Sequence, residues 1–189
     1  MKLLKDRIIK DGIVLNDSVL KVDRFLNHQI DPQLMLEIGR EFAHRFSSKP
    51  ITKILTIESS GIAPALMTGW ALNVPVVFAR KRKSLTMNNV YQSTVFSYTK
   101  QETNTLIVSK SLMNKNEHWL LIDDFLANGQ ASQALIDIVQ QSGGTIEGIG
   151  IVIEKTFQPG GKQLREKGFH VESLAMIKSL ENGTIIFDE

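Results

Sequence analysis

The sequence predicts an α/β fold in which a central, mainly parallel sheet is flanked by helices. Strand-like apolar stretches alternate with stretches of helical periodicity, and the run 119–122 is continuously apolar, as in a strand covered on both faces. The chain has 189 residues, of which 42% are hydrophobic, so it can bury a sizeable core. We therefore expect one domain over 1–189.

The composition excludes several functional classes. Lys+Arg 22 against Asp+Glu 20 leaves a net charge of +2, far less basic than a nucleic-acid coat, so no nucleic-acid partner is expected. The chain has no Cys, which excludes a disulfide framework, a thiol nucleophile and a thiolate metal site. Residues 1–10 lack an unbroken apolar stretch, so we predict no signal peptide and a cytoplasmic location.

One uncharged stretch, 59–79, is long enough to cross a bilayer. It is interrupted by Pro64, Gly69, Asn73 and Pro75, which a membrane-spanning helix would rarely combine. We interpret it as a turn, a buried helix and a buried strand, with no membrane association.

Periodicity predicts the elements of the first half. The predicted series is a short amphipathic helix at the N-terminus, an irregular or extended segment 13–30, a helix 32–47, a strand 51–57, a helix 62–72 and a strand 74–79. The second helix is the best supported, because Asp31 suits the N-cap, Pro32 suits the first helical position, and Leu34, Ile38 and Phe42 share one face.

Turn residues and apolar runs predict the second half. The predicted series is a hairpin 91–109 that turns around 101–104, a strand 119–122, a helix 130–142, a strand 149–153 and weaker elements to the C-terminus. Gly143 and Gly144 end the helix, because Gly is suited to the left-handed position after a helix.

Ligands of such sheets bind beyond the carboxyl ends of the strands. Four segments follow strands there, namely 58–61, 80–83, 123–131 and 154–157. We therefore sought the functional residues in these four segments.

The segment Leu120–Ser132 is the most informative, because an apolar strand leads into Asp123 and Asp124 and then into a small-residue turn that opens a helix. Free amides and the helix dipole favour an anion at this turn, and Gly129 allows close backbone approach. Adjacent carboxylates suit neighbouring hydroxyls or a cation. The combination predicts a phosphorylated sugar, and the alternative is a strand end with solvated acids and an ordinary helix cap.

Two further segments have phosphate-binding character. Glu58–Pro64 runs from a strand into small residues whose amides could hold a phosphate, or it is an ordinary tight turn. Arg80–Lys83 is a run of four cations that could meet a polyphosphate, contact nucleic acid or be solvated.

The segment Leu120–Ser132 resembles the phosphoribosyl diphosphate signature of the type I phosphoribosyltransferases. The signature reads as an apolar run, two acids, two apolar residues, Ala, a hydroxyl residue, Gly, a small residue and Thr. The segment departs from it at Asn128, Gln130 and Ala131, where many members carry Thr, Gly and Thr. The resemblance implies a core sheet with a small hood, divided into hood about 1–35, core about 36–155, and a part about 156–189 that completes the hood and the base pocket.

The stretch Val19–Pro32 resembles the hood segment of bacterial xanthine phosphoribosyltransferases, and so does Thr56–Pro64 combined with Asp123–Ala131. The resemblance covers essentially the whole chain. It implies transfer of a 5-phosphoribosyl group from phosphoribosyl diphosphate to xanthine, with pyrophosphate released. Guanine, hypoxanthine or adenine transferases remain alternatives, as does a non-catalytic purine regulator that senses the same sugar diphosphate.

The resemblance also implies residue roles. Asp123 and Asp124 would fix the ribose, and Arg80, Lys81 and Lys83 would offset charge on the departing pyrophosphate, the segment up to Ser93 resembling the family's flexible catalytic loop. The residues implied to hold phosphoribosyl diphosphate are Ala127, Asn128, Gly129, Gln130, Ala131, Ser59, Ser60 and Gly61. The residues implied to hold xanthine are Leu20, Asn27, Lys155 and Phe157, for the last two of which a surface lysine and a core phenylalanine are the alternatives.

Two further expectations come from the family. Mg²⁺ would be held mainly by the diphosphate and the ribose, with no direct protein ligand. The chain would form a homodimer.

Overall fold

A computed structural model describes residues 1–81, 89–97 and 102–188. Its helices are α1 (Lys2–Asp11), α2 (Pro32–Arg45), α3 (Ile62–Leu72), α4 (Gln130–Ser142) and α5 (Gly160–Glu166). Its strands are β1 (Ile13–Asn16), β2 (Val19–Lys21), β3 (Lys53–Ile57), β4 (Val76–Ala79), β5 (Val90–Ser97), β6 (Glu102–Ser109), β7 (His118–Leu126), β8 (Thr145–Lys155), β9 (Val171–Ser179) and β10 (Ile186–Phe187).

The central sheet confirms the predicted fold class. Its strand order is β10-β9-β8-β7-β3-β4, and every neighbouring pair is parallel except β10 with β9. The carboxyl ends of β3, β4, β7 and β8 therefore share one edge, and the four segments 58–61, 80–83, 123–131 and 154–157 begin at or near it. None of the described helices combines the length and the apolar character needed to span a bilayer.

Several predicted elements are confirmed closely. Helix α3 and helix α4 have the predicted bounds, and Gly143 adopts the left-handed conformation after α4. The N-cap of α2 forms as predicted, because the Asp31 carboxylate accepts the amide hydrogens of Gln33 and Leu34 at 3.0 and 3.1 Å.

Other elements differ from the prediction. The segment 13–30, expected to be irregular or extended, holds the β1–β2 hairpin and a turn of π-helix at Asp23–Asn27. Strand β7 continues to Leu126, because Phe125 and Leu126 still pair with β8. Asp123 and Asp124 therefore lie within the strand, whereas the sequence predicted them at its end.

The predicted hairpin 91–109 is also present, because β5 and β6 pair in antiparallel fashion. Glu102, Thr103 and Asn104, predicted to lie in its turn, belong to β6 instead. The C-terminal region is more regular than the weak elements that the sequence predicts, since β9 is a nine-residue strand of the main sheet. Its sequence mixes polar and apolar residues without strict alternation, and pairing with β8 over most of its length stabilises it.

Two apolar clusters cover the two faces of the sheet. Neighbouring residues of one strand alternate between them, so that Ile54 lies in one cluster and Leu55 in the other. The first cluster includes Leu4 of α1, Phe42 of α2 and Leu20 of β2. The N-terminal elements therefore share a core with the sheet, which fixes the β1–β2 hairpin beside the carboxyl edge.

Candidate active site

A cleft of about 610 Å³ lies at the carboxyl edge of the sheet. Residues at the ends of β3, β7 and β8 line it, together with Ser18 and Val19 from the β1–β2 hairpin and three residues of the β5–β6 hairpin. Segments far apart in sequence therefore meet around one space.

The two acids line this cleft in an unusual electrostatic environment. Asp123 is only 6% exposed, and its Oδ1 accepts the Asp124 amide hydrogen at 3.0 Å. Burial raises the pKa of Asp123 well above its ordinary value, and the charge of Asp124 raises it further; burial also raises the pKa of Asp124. Within residues 1–81, 89–97 and 102–188, neither carboxylate has an ion-pair partner.

This electrostatic environment indicates what the acids can do. Two adjacent carboxylates with little exposure to solvent and no ion-pair partner among the described residues are costly to ionise. Ligand hydroxyls or a cation would lower that cost, which is consistent with the sequence prediction of a sugar. Lys81 also lines the cleft, and its charge lowers the pKa of both acids without outweighing their burial.

The turn before α4 has the geometry of an anion site. Gly129 has φ +82°, a conformation that side chains rarely adopt, and the Asn128 side-chain oxygen accepts the Gln130 amide hydrogen at 3.2 Å. Ala127, Asn128, Gln130 and Ala131 line the cleft. The N-terminus of a thirteen-residue helix therefore faces the same space as the acids.

A second loop approaches the acids from β3. Ser59, Ser60 and Gly61 line the cleft, and the Glu58–Ser59 peptide bond is cis. The Glu58 carboxylate accepts the Lys81 amide hydrogen at 2.8 Å. The same carboxylate thus joins the end of β3 to the start of the cationic segment.

Another part of the cleft lining is formed around Lys155 of β8. Its ammonium group donates a hydrogen bond to the Ser18 carbonyl at 2.7 Å and lies 5.3 Å from the centroid of the Phe125 ring. Burial lowers the pKa of Lys155. Phe125, Gln158 and Val19 complete this part, which offers one flat apolar ring, one amide and one cation to a ligand.

Curated relatives match this chain over almost its whole length. It is 61% identical over 188 residues to the xanthine phosphoribosyltransferase of Bacillus mycoides, with 99% of this chain and 95% of the relative covered. It is 58% identical to the xanthine phosphoribosyltransferases of Oceanobacillus iheyensis and Latilactobacillus sakei, with 100% and 99% of this chain and 98% and 96% of the relatives covered.

The chain belongs to the xanthine phosphoribosyltransferase family. The resemblance drawn from the sequence motifs is thereby confirmed, as is the prediction that the chain is an enzyme. No family model matches the sequence.

Solved structures support the fold expected of a xanthine phosphoribosyltransferase. The adenine phosphoribosyltransferase of Rhodothermus marinus superimposes with a TM-score of 0.75 at 21% identity, covering 94% of this chain and 100% of that one. The adenine phosphoribosyltransferase of Trypanosoma brucei gives 0.75 at 22% identity, with 92% and 79% covered. The type I phosphoribosyltransferase fold is therefore confirmed.

Some residues implied by the family resemblance lie elsewhere. Leu20 is 6% exposed and belongs to the apolar core, because side chains alternate along β2 and its neighbour Val19 lines the cleft instead. Asn27 is exposed at the end of the π-helical turn, and Phe157 is 40% exposed in the turn after β8. The structure does not bring Leu20, Asn27 or Phe157 into the lining of the cleft.

Three residues implied to contact the phosphate groups, Arg80, Gly129 and Lys83, are also absent from the lining of the cleft as described. Arg80 is exposed, its Nε lies 3.8 Å from Glu58, and it does not line the cleft, whereas Lys81 does. Gly129 turns the loop but is not itself a lining residue. Lys83, predicted to be catalytic, lies outside the described residues.

Sequence reasoning missed several lining residues. The missed residues are Ser18, Val19, Ile57, Glu58, Val95, Asn104, Leu106, Phe125 and Gln158. The position of Phe125 could have predicted its place in the cleft, since it directly follows the two acids within the segment 123–131. No local sequence pattern predicts the lining residues of the β1–β2 and β5–β6 hairpins, because only the tertiary packing brings them to the edge of the sheet.

Proposed function

We propose that this family member transfers the 5-phosphoribosyl group of phosphoribosyl diphosphate to N9 of xanthine, forming xanthosine 5′-monophosphate and pyrophosphate. The observation that carries the proposal is that the buried Asp123, the half-buried Asp124 and Lys155, and the loops after β3 and β7 all line a single cleft. Location in the cytoplasm and organisation as a single domain with a hood belong to the same proposal.

The sugar is held between the acids and the turn before α4. Asp123 and Asp124 accept hydrogen bonds from the ribose hydroxyls. The backbone amides of the loop from Ala127 to Ala131 and the N-terminus of α4 bind the 5′-phosphate. Two anchors at opposite ends of the ribose orient its anomeric carbon toward the base.

The leaving group is held by the second loop. Amides of Ser59, Ser60 and Gly61 bind pyrophosphate oxygens, and Lys81 offsets the charge that builds up as the bond to the anomeric carbon breaks. Arg80 and Lys83 are proposed to assist. The transition state has oxocarbenium character, so the contribution of the protein is mainly electrostatic.

Magnesium is proposed to enter with the diphosphate. Among the described residues no three acidic or histidine side chains form a metal site, yet the buried pair Asp123 and Asp124 provides negative charge beside the sugar. These residues fit an ion held mainly by its substrate oxygens and waters. When bound, Mg²⁺ would neutralise charge on the diphosphate and so favour its departure, with Asp123 and Asp124 providing negative charge nearby.

The base lies against Phe125, with Lys155 donating a hydrogen bond to an oxygen of the purine. Asn27 and Phe157 are proposed to contribute from the hood and from the turn after β8, whereas Leu20, which lies in the apolar core, is proposed only to support its neighbour Val19. A site whose polar groups pair with the exocyclic oxygens of a base rejects bases that leave those groups unpaired. This reasoning favours xanthine, which carries oxygens at both the 2 and the 6 position.

Base preference provides the direct test. We expect xanthine to be used better than guanine or hypoxanthine and adenine to be the poorest substrate, at least about 10²-fold below xanthine in kcat/KM. A spectrophotometric screen of the four bases with phosphoribosyl diphosphate, with and without Mg²⁺, measures this. Faster turnover of adenine than of xanthine would show the pocket assignment to be wrong. No turnover with any base, together with DNA binding at physiological salt, would instead identify a regulator.

The α3–β4 surface is proposed to form a homodimer interface. Leu66 and Trp70 lie one turn apart on α3 and are 52% and 65% exposed, and Phe78 on β4 is 42% exposed. Val76 packs against Gly69 of α3, and Phe78 lies two residues along the same face of β4. The surrounding segment 59–79 carries no charge, so the surface suits a second uncharged surface of the same kind.

Sedimentation tests the interface. We expect the protein to sediment as a dimer and Trp70→Glu to shift it to monomer, because the substitution places a charge in an apolar contact. Leu112→Glu is the matched control, since Leu112 is 46% exposed outside this surface. A monomeric parent protein, or a Trp70→Glu variant that remains dimeric, would contradict the proposal.

A further inference from the structure

An ion pair between the buried carboxylate of Glu154 and the exposed guanidinium of Arg165 joins β8 to α5. Glu154 is 2% exposed, and its two carboxylate oxygens accept hydrogen bonds from both terminal nitrogens of Arg165 at 2.7 Å each. Ser173 donates a further hydrogen bond to it. Burial alone would raise the pKa of Glu154, but the hydrogen bonds from Arg165 and Ser173 outweigh it and the pKa is lowered. The pair is therefore charged at neutral pH.

This ion pair is packed against the start of α5. A Cβ atom added to Gly161 would lie 1.8 Å from Glu154 Oε1 and 2.7 Å from the Arg165 Nη1. No side chain can stand between the pair and the helix backbone. The bidentate pair is thus in direct contact with the helix backbone at Gly161.

The start of α5 is in turn packed against the back of the loop proposed to hold the 5′-phosphate. The Gly160 amide donates a hydrogen bond to the Ala127 carbonyl at 3.0 Å. A Cβ atom on Gly160 would lie 2.5 Å from both the Ala127 oxygen and the Gly129 nitrogen. The two backbones touch directly, so a shift of one is transmitted to the other.

We propose that Arg165 and Glu154 are positioning residues for phosphoribosyl diphosphate. They act through Gly160 and Gly161, whose backbone supports the loop from Ala127 to Gly129, and neither touches the substrate. This inference rests on the proposed function, because it assumes that the loop binds the 5′-phosphate.

The effect should be selective for the sugar. Lys155, the proposed base ligand, follows Glu154 but is held independently, since it pairs with Ile177 of β9 and bonds to Ser18. Loss of the ion pair therefore moves the phosphate loop more than the base pocket.

The test compares Arg165→Met and Arg165→Lys with a matched control. We expect Arg165→Met to raise the KM for phosphoribosyl diphosphate between about tenfold and 10²-fold, as small misplacements of binding groups do, and the KM for xanthine by less than about threefold. Arg165→Lys should recover part of the loss, because it restores the charge but not the bidentate contact. The control is Arg45→Met, since Arg45 also forms hydrogen bonds to two glutamates, Glu41 and Glu172, but away from the cleft.

A calorimetric titration with Mg²⁺ and phosphoribosyl diphosphate, in the absence of any base, tests the positioning role separately from the choice of xanthine as substrate. Weaker binding by Arg165→Met supports the positioning role even if xanthine proves not to be the substrate. Equal changes in both KM values, or unchanged binding, would overturn it. If Arg165→Met does not fold, Gly161→Ala replaces it, since its methyl group displaces the Glu154 carboxylate while both charges remain, and the same outcomes decide.

Discussion

Asp123→Asn is expected to lower kcat by at least about 10²-fold while making the substrate-free protein more stable. The loss of activity follows because the amide removes negative charge beside the ribose at the point where positive charge develops. The gain in stability follows because Asp123 is buried next to Asp124 with no ion-pair partner among the described residues. The fold should be retained, since the Asn oxygen can still accept the Asp124 amide hydrogen.

The stability gain has a defined pH dependence. Burial raises the pKa of the Asp123 carboxyl in the folded state above its unfolded value of 3.8. The unfolded chain therefore releases this proton at lower pH than the folded chain does, and folding stability falls as pH rises from about 4 through the folded pKa. The Asn variant has no such proton, so its advantage should be absent at pH 4 and grow toward neutrality.

Thermal unfolding between pH 4 and 8 and steady-state kinetics measure the two effects. At neutral pH we expect Tm to rise by at least about 2 °C, which corresponds to ~1 kcal/mol in a domain of this size. Glu181→Gln is the control, because that carboxylate is exposed in the turn after β9 and its loss should alter neither quantity. An Asp123→Asn enzyme with unchanged kinetics would show that the acid does not hold the sugar.

Lys155→Met is expected to lower kcat/KM for xanthine by about 10²-fold or more, with little change in the KM for phosphoribosyl diphosphate. The ammonium group lies 5.3 Å from the Phe125 ring centroid and 2.7 Å from the Ser18 carbonyl, in the lining of the cleft. The thioether fills a similar volume but donates no hydrogen bond, so an oxygen of the purine would lose its partner on binding.

Lys5→Met is a close control for this change. Lys5 also donates to a backbone carbonyl, that of Asp188 at 3.0 Å, and lies 5.2 Å from the Phe187 ring, but outside the cleft. Steady-state kinetics with each substrate varied should therefore show a base-specific loss in Lys155→Met only. Equal losses in both variants, or a loss confined to phosphoribosyl diphosphate, would contradict the assignment of Lys155 to the base.

Local sequence signals were sufficient wherever the deciding interactions were short in range. Helix α3 and helix α4 have the predicted bounds, and Asp31 caps α2 as expected, because caps, glycine turns and apolar periodicity act within a few residues. Local signals did not predict the length of a strand where pairing with a distant part of the chain determines it. Strand β7 runs four residues past the predicted 119–122 because β8 offers partners up to Glu154.

The sequence by itself determined the fold class, the family resemblance and the segments that carry the chemistry, because strand ends and motif residues are contiguous along the chain. The tertiary structure alone decided which side chains enter the cleft: Val19 and not Leu20, Phe125 beneath Lys155, and Lys81 rather than Arg80 beside the acids. It also decided that the Gly160 backbone contacts the loop before α4. These outcomes depend on strand alternation and on contacts between residues far apart in sequence, which no local pattern encodes.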